Sequence, residues 1–123
     1  MEHTIWFDEG QQVLHLKIKG DFTTEDALYF GKKYNELLEG KPYRQIIVDL
    51  REGGNMESRE TRSITNDMLN KAGITEVAYV GASAASRMIA KVLMKLGSLK
   101  AESDFFKEFN DSFTWIEKRR KKQ

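Results

Sequence analysis

The residues that could do chemistry gather behind one strand. The apolar run Ile46-Ile47-Val48 leads into Asp49 and Leu50. Arg51, Glu52, Gly53, Gly54 and Asn55 then read as a glycine-containing loop, and Glu57 and Ser58 open a helix that carries Arg59 and Arg62. Open α/β sheets form binding sites beyond the carboxyl ends of their strands. A serine at a helix start accepts a bond from an orphan backbone N–H. A phosphate added there would lie where the helix dipole favours negative charge. Arg59 and Arg62 could pair with it, and Glu57 and Glu60 would oppose it. Asp49 is the one carboxylate standing where a catalytic acid would be useful. Its short side chain suits bracing the next loop better.

A second candidate lies further on, in Gly81-Ala82-Ser83-Ala84-Ala85-Ser86-Arg87. Ser83, Ser86 and Arg87 could receive an anion or small ligand at a helix start. The plainer reading is a tight turn with Ser83 as the cap. No nucleophile elbow is present, because that turn needs glycines on both sides of the serine. The Arg51–Asn55 stretch also lacks the lysine and following Ser/Thr of a phosphate-cradling loop. The chain has no cysteine and two histidines, His3 and His15, with no carboxylate cluster at ligand spacing. No metal, no cofactor and no catalytic set are therefore expected.

The elements that must position these residues follow from periodicity. Thr4–Phe7 and Gln12–Lys19 read as an antiparallel hairpin around the turn at residues 8–11. Leu14, Leu16 and Ile18 share one face, which leaves His15 facing solvent or covered by the end of the fold. Gly20-Asp21-Phe22 breaks the strand. Thr23 or Thr24 caps a helix carrying Ala27, Phe30, Tyr34, Leu37 and Leu38, and Gly40 stops it. The strand Gln45–Leu50 follows, then a helix that starts near Glu57 or Ser58 and ends at Gly73, with Thr61, Ile64, Thr65, Met68, Leu69 and Ala72 on one face. Thr75–Val80 is a strand. The next helix has the stripe Ala85, Met88, Ile89, Val92, Leu93 and Leu96. A strand over about 100–106 and a helix from about Asn110 close the chain. The order ββαβαβαβα implies an α/β domain with crossovers and a five-stranded, mostly parallel sheet. The expected core includes Leu14, Leu16, Ile18, Phe30, Ile46, Val48, Leu69, Val80, Ile89, Leu93 and Trp115.

This order resembles the STAS-type fold of anti-sigma factor antagonists such as SpoIIAA. In that family a strand ending in Asp-Leu or Asn-Leu leads to Met/Ile-Asp-Ser at a helix start, and that serine is phosphorylated. Val48-Asp49-Leu50 and Met56-Glu57-Ser58 match the spacing, so the resemblance puts Ser58 on the phosphorylated position. Glu57 replaces the aspartate, and Arg59 and Glu60 stand where a small residue and a glycine are expected. Phe105-Phe106 and Phe113-Thr114-Trp115-Ile116 resemble the ending of the SpoIIAA-like branch. The resemblance implies a fold related to CRAL-TRIO lipid-binding domains and a partner such as a kinase or regulatory switch protein.

The remaining bounds are broad. A chain of 123 residues with 40% hydrophobic and 32% charged content is expected to form one globular domain. That domain is expected to span residues 1–117, with a solvated basic tail over 118–123. Net charge is +1, which gives no global reason to bind nucleic acid. No run approaches the roughly 18 apolar residues of a membrane span, and the start does not read as a signal peptide. The cytoplasm is the expected location, and open sheet edges allow a homodimer. The leading expectation is a non-enzymatic regulatory interaction module, switched at Ser58. The alternative is a module for a small apolar ligand or lipid, suggested by methionines that adapt to irregular gaps.

Overall fold

A computed structural model describes residues 3–55, 58–95 and 99–121. The chain runs β1 (Thr4–Asp8), β2 (Val13–Asp21), α1 (Thr24–Leu38), β3 (Gln45–Asn55), α2 (Arg59–Lys71), β4 (Glu76–Val80), α3 (Ala84–Lys95), β5 (Glu102–Phe106) and α4 (Phe109–Arg120). The five strands form one mixed sheet in the order β1-β2-β3-β4-β5. β1 and β2 are antiparallel, and every other pair is parallel. The α/β class and the five-stranded mixed sheet agree with the expectation.

The helix positions follow from handedness. Each βαβ crossover steps one strand in the same direction. Right-handed crossovers therefore put α1, α2 and α3 on one face of the sheet. The main core lies on that face. It joins Leu14, Leu16, Ile18, Ile46, Val48 and Leu50 of the strands to Phe30, Tyr34 and Leu38 of α1 and Leu69 of α2. Burying a side chain such as Phe30 contributes about 1.5–3 kcal/mol. Among the described residues α4 is the helix that covers the opposite face, where Ile116 meets Val13, Ile47, Ala78 and Val80. Trp115 and Phe106 are packed at the margin of this smaller cluster.

Several sequence expectations need correction. β2 does not break at Gly20 but continues to Asp21, and Arg51–Asn55 is the end of β3 rather than a loop. The extension is paired, with Lys19 opposite Glu52 and Gly20 opposite Gly53, across two register shifts. Gly20 has φ +69°, and a Cβ on Gly53 would collide with the Gly20 backbone. Glycines that read as a loop signal are here a bulge in a twisted pair. The α3 stripe is also less buried than expected, with Ala85, Met88 and Val92 exposed. The side chains of Ile89 and Leu93, and residue Leu96, lie outside the described residues. The basic run is not a free tail through Arg120, because Lys118, Arg119 and Arg120 form the last turn of α4. Arg120 donates to Gln45 Oε1 at 2.8 Å and to the Gln11 and Gln12 carbonyls at 2.9 and 2.8 Å. These bonds explain why that end of the helix is held to the sheet.

Candidate functional site

Ser58 is the N-cap of α2. It has an extended backbone, and its hydroxyl accepts the Thr61 N–H at 3.4 Å. The residue is exposed, as is Arg59 behind it, while Arg62 is half-buried. Glu57 lies outside the described residues, and Asn55 ends β3.

The start of α1 faces the same space. Thr23 caps α1, and its hydroxyl accepts the Asp26 N–H at 3.2 Å. Asp26 returns the bond by accepting the Thr23 N–H at 3.0 Å, completing a capping box. Burial alone would push the Asp26 carboxyl up. The bonds from the Thr23 backbone, His3 and the Thr23 hydroxyl outweigh it and hold the group below its ordinary range. The two helix starts are tied by a 2.7 Å hydrogen bond between the Thr24 and Thr61 hydroxyls. Between them opens a cleft of about 460 Å³, lined by Asp21, Phe22, Thr23, Thr24, Glu25, Ser58 and Thr61. Sequence reasoning placed Ser58 at a helix start but missed this company. Thr61 read only as part of an inward helix face, and Thr23 and Thr24 only as caps. A threonine leading each helix was the available signal.

Asp49 does not line this cleft. It points to the α4 face and is buried, and Arg51 closes on it from two positions along the strand. The Arg51 Nε and a terminal guanidinium nitrogen each donate to the carboxylate at 3.0 Å, and the Arg51 backbone N–H donates at 3.0 Å. Burial would raise the Asp49 pKa. The Arg51 bonds and the charges of Arg51 and Lys17 outweigh it and lower the pKa. The Arg51 guanidinium also lies over the Phe109 ring at 4.7 Å. A carboxylate clamped in this way braces the strand end.

His15 lies next to this brace, buried and not solvent-facing. Its ring stacks on Trp6 at 5.0 Å and meets Phe109 at 6.4 Å. Nε2 has no hydrogen-bond partner, and Asp8 Oδ2 stands 3.8 Å away. Burial lowers the His15 pKa despite the opposing pull of Asp8 and Asp49. Of the two expected outcomes, solvent exposure or cover by the end of the fold, the second holds only in part: Phe109 of α4 is near, but the stacked cover is Trp6 of β1.

The second candidate set stays apart. Ser83 is exposed, and its carbonyl accepts the Arg87 N–H at 2.9 Å. The Arg87 guanidinium lies over the Phe105 ring at 5.5 Å. The side chain of Ser86 lies outside the described residues. Neither Ser83 nor Arg87 is among the described residues that line the cleft beside Ser58. Among the described residues no group of three or more His, Cys, Asp or Glu could hold a metal, and no helix is long and apolar enough to cross a membrane.

Comparison with known proteins bears on the fold. A solved structure of an uncharacterized DUF3478-family protein with a SpoIIAA-like fold, from Shewanella loihica PV-4, superimposes with a TM-score of 0.67. The match covers 94% of this chain and 95% of that one at 20% identity, so the fold is SpoIIAA-like. No curated protein matches the sequence. A family model described as Domain of unknown function (DUF7793) matches residues 5–120, and the chain belongs to that family.

Proposed function

We propose that this protein is a non-enzymatic regulatory interaction module whose contact surface is the cleft between the α1 and α2 N-termini, switched at Ser58. The observation that carries this reading is the place of one hydroxyl. Ser58 is exposed, begins α2 and stands on the rim of a cleft whose other wall is the start of α1. Phosphorylation would add about −1.5 to −2 charges there. Asp21 and Glu25 already line the cleft, so the phosphate would turn a weakly acidic surface into a strongly acidic one. Arg59 is the nearest exposed cation in sequence. A partner that docks on the unmodified cleft loses its fit, which is how charge at an interface excludes a partner. The partner class is a kinase or a regulatory switch protein.

A ligand reading draws on the volume of the cleft, which is within the range of small-molecule sites. Among the described residues its lining joins the Phe22 ring to hydroxyl and carboxylate groups, so it offers both apolar and polar contacts.

The test compares affinity capture by wild type, Ser58→Ala and Ser58→Asp, read by quantitative mass spectrometry. Aspartate keeps the N-cap, so its effect reports charge rather than folding. A partner held by wild type and Ser58→Ala but lost by Ser58→Asp supports the switch. Equal capture by all three removes Ser58 from the function.

A further inference from the structure

We infer that α3 is a membrane-contact surface, which lays its exposed face on a bilayer that carries anionic lipid. Two observations meet on this helix. The first is apolar exposure. An amphipathic helix of a globular domain turns its apolar stripe to the core. Every described side chain of α3 is instead exposed, Ala84, Ala85, Met88 and Val92 among them. Met88, at 68%, is the most exposed large apolar side chain among the described residues, and Val92 is 40% exposed.

The second observation is charge of one sign. α3 carries Arg87, Lys91 and Lys95, four residues apart, and no aspartate or glutamate. Each of the other described helices has carboxylates, such as Glu25 on α1, Glu60 on α2 and Asp111 on α4. Leu28 and Tyr29 of α1 are also exposed, but their helix mixes both signs of charge. Arg87 and Lys91 are exposed. The Arg87 guanidinium lies over the Phe105 ring at 5.5 Å, a contact that leaves its charge in place. The carboxylates of β5 do not offset these cations, because they lie on the other face of the sheet. Glu102 pairs with Arg119 of α4, and Asp104 stands opposite Ala78 of the α4-side cluster.

Apolar side chains interleaved with cations fit a surface that is apolar beneath and anionic above. The α3 side chains are small or flexible, with no aromatic anchor of the kind that fills a pocket in a protein partner. A bilayer needs no such shape match. It takes up the apolar side chains at the acyl boundary while long cationic side chains reach the headgroups. At 12 residues α3 is about 18 Å long, so it lies along a bilayer rather than across one. The Ser58 cleft is lined by the β2–α1 corner and the start of α2, so α3 forms a separate surface.

Co-sedimentation of the full chain with vesicles tests the inference. Phosphatidylcholine alone is compared with equal parts phosphatidylcholine and phosphatidylserine. Wild type should pellet with the anionic vesicles and stay in solution with the neutral ones, and added salt should weaken the binding. Lys91→Gln should weaken it about fivefold, the effect of one cation near an anionic surface. Met88→Gln should weaken it several-fold, because the side chain no longer favours the acyl boundary. Lys32→Gln makes the same charge change on α1 and should leave the binding as it is. All three positions are exposed, and circular dichroism establishes that each variant is folded. A wild type that ignores anionic vesicles overturns the inference, even where α3 captures an acidic protein. So does equal binding to both kinds of vesicle, or binding indifferent to Met88→Gln. Binding weakened as much by Lys32→Gln as by Lys91→Gln also overturns it, since the attraction would then belong to the whole molecule.

Discussion

Two residues test the local chemistry. Ser58 caps α2 through a single bond of 3.4 Å. Ser58→Ala should therefore cost about 0.5–1 kcal/mol, at the lower end for an N-cap, seen as a lower urea midpoint with an unchanged slope. His15 is held neutral by burial against Trp6 and Phe109. Its pKa in the folded chain lies below the ordinary value of about 6.5. Below that pH the unfolded chain takes a proton that the folded chain resists, so stability falls as the pH drops from 7 towards 5. His15→Phe keeps a ring between Trp6 and Phe109 and removes the titrating group. Its unfolding free energy should fall less over that window, as measured by urea melts at each pH.

At the scale of elements, the sharpest dependence is the crossing of β2 and β3. Gly53 lies against the backbone of Gly20, where no side chain fits. Gly53→Ala should cost about 1–3 kcal/mol by overpacking, measurable as a lower thermal midpoint. This same crossing marks the limit of what the sequence disclosed. Alternation in Leu14, Leu16 and Ile18 and the apolar run Ile46–Val48 announced β2 and β3, because apolar period and burial are directly linked. Two glycines beside Asn55 carry no such period, so their pairing with Lys19–Asp21 depended on a neighbour distant in sequence. Ser58 was legible as a cap for the opposite reason, since capping is a local interaction. The cleft beside it was not, because it needs Thr24 and Thr61 to meet across 37 residues. The basic run misled in a similar way. Lys118–Arg120 looks solvated until Gln45 and the carbonyls at residues 11 and 12 are placed beneath it.

For the whole molecule, one topological fact organises the surfaces. Strands added in a single direction by right-handed crossovers crowd three helices onto one face and leave the other to α4. The helix-rich face brings two helix N-termini together at the carboxyl ends of β2 and β3, where the Ser58 cleft opens. Beyond α4, the thinly covered face leaves Trp6 partly exposed at the margin of the sheet.

Hydrogen exchange of the chain, alone and with the partner captured through it, is the most direct measurement of where that partner sits. Slowed exchange concentrated in Asp21–Glu25 and Ser58–Arg62, and absent in Ser58→Asp, is the expected footprint. Unchanged exchange in both segments, with protection at Ala84–Lys95 or Phe109–Arg120 instead, would contradict a cleft built on the N-termini of α1 and α2.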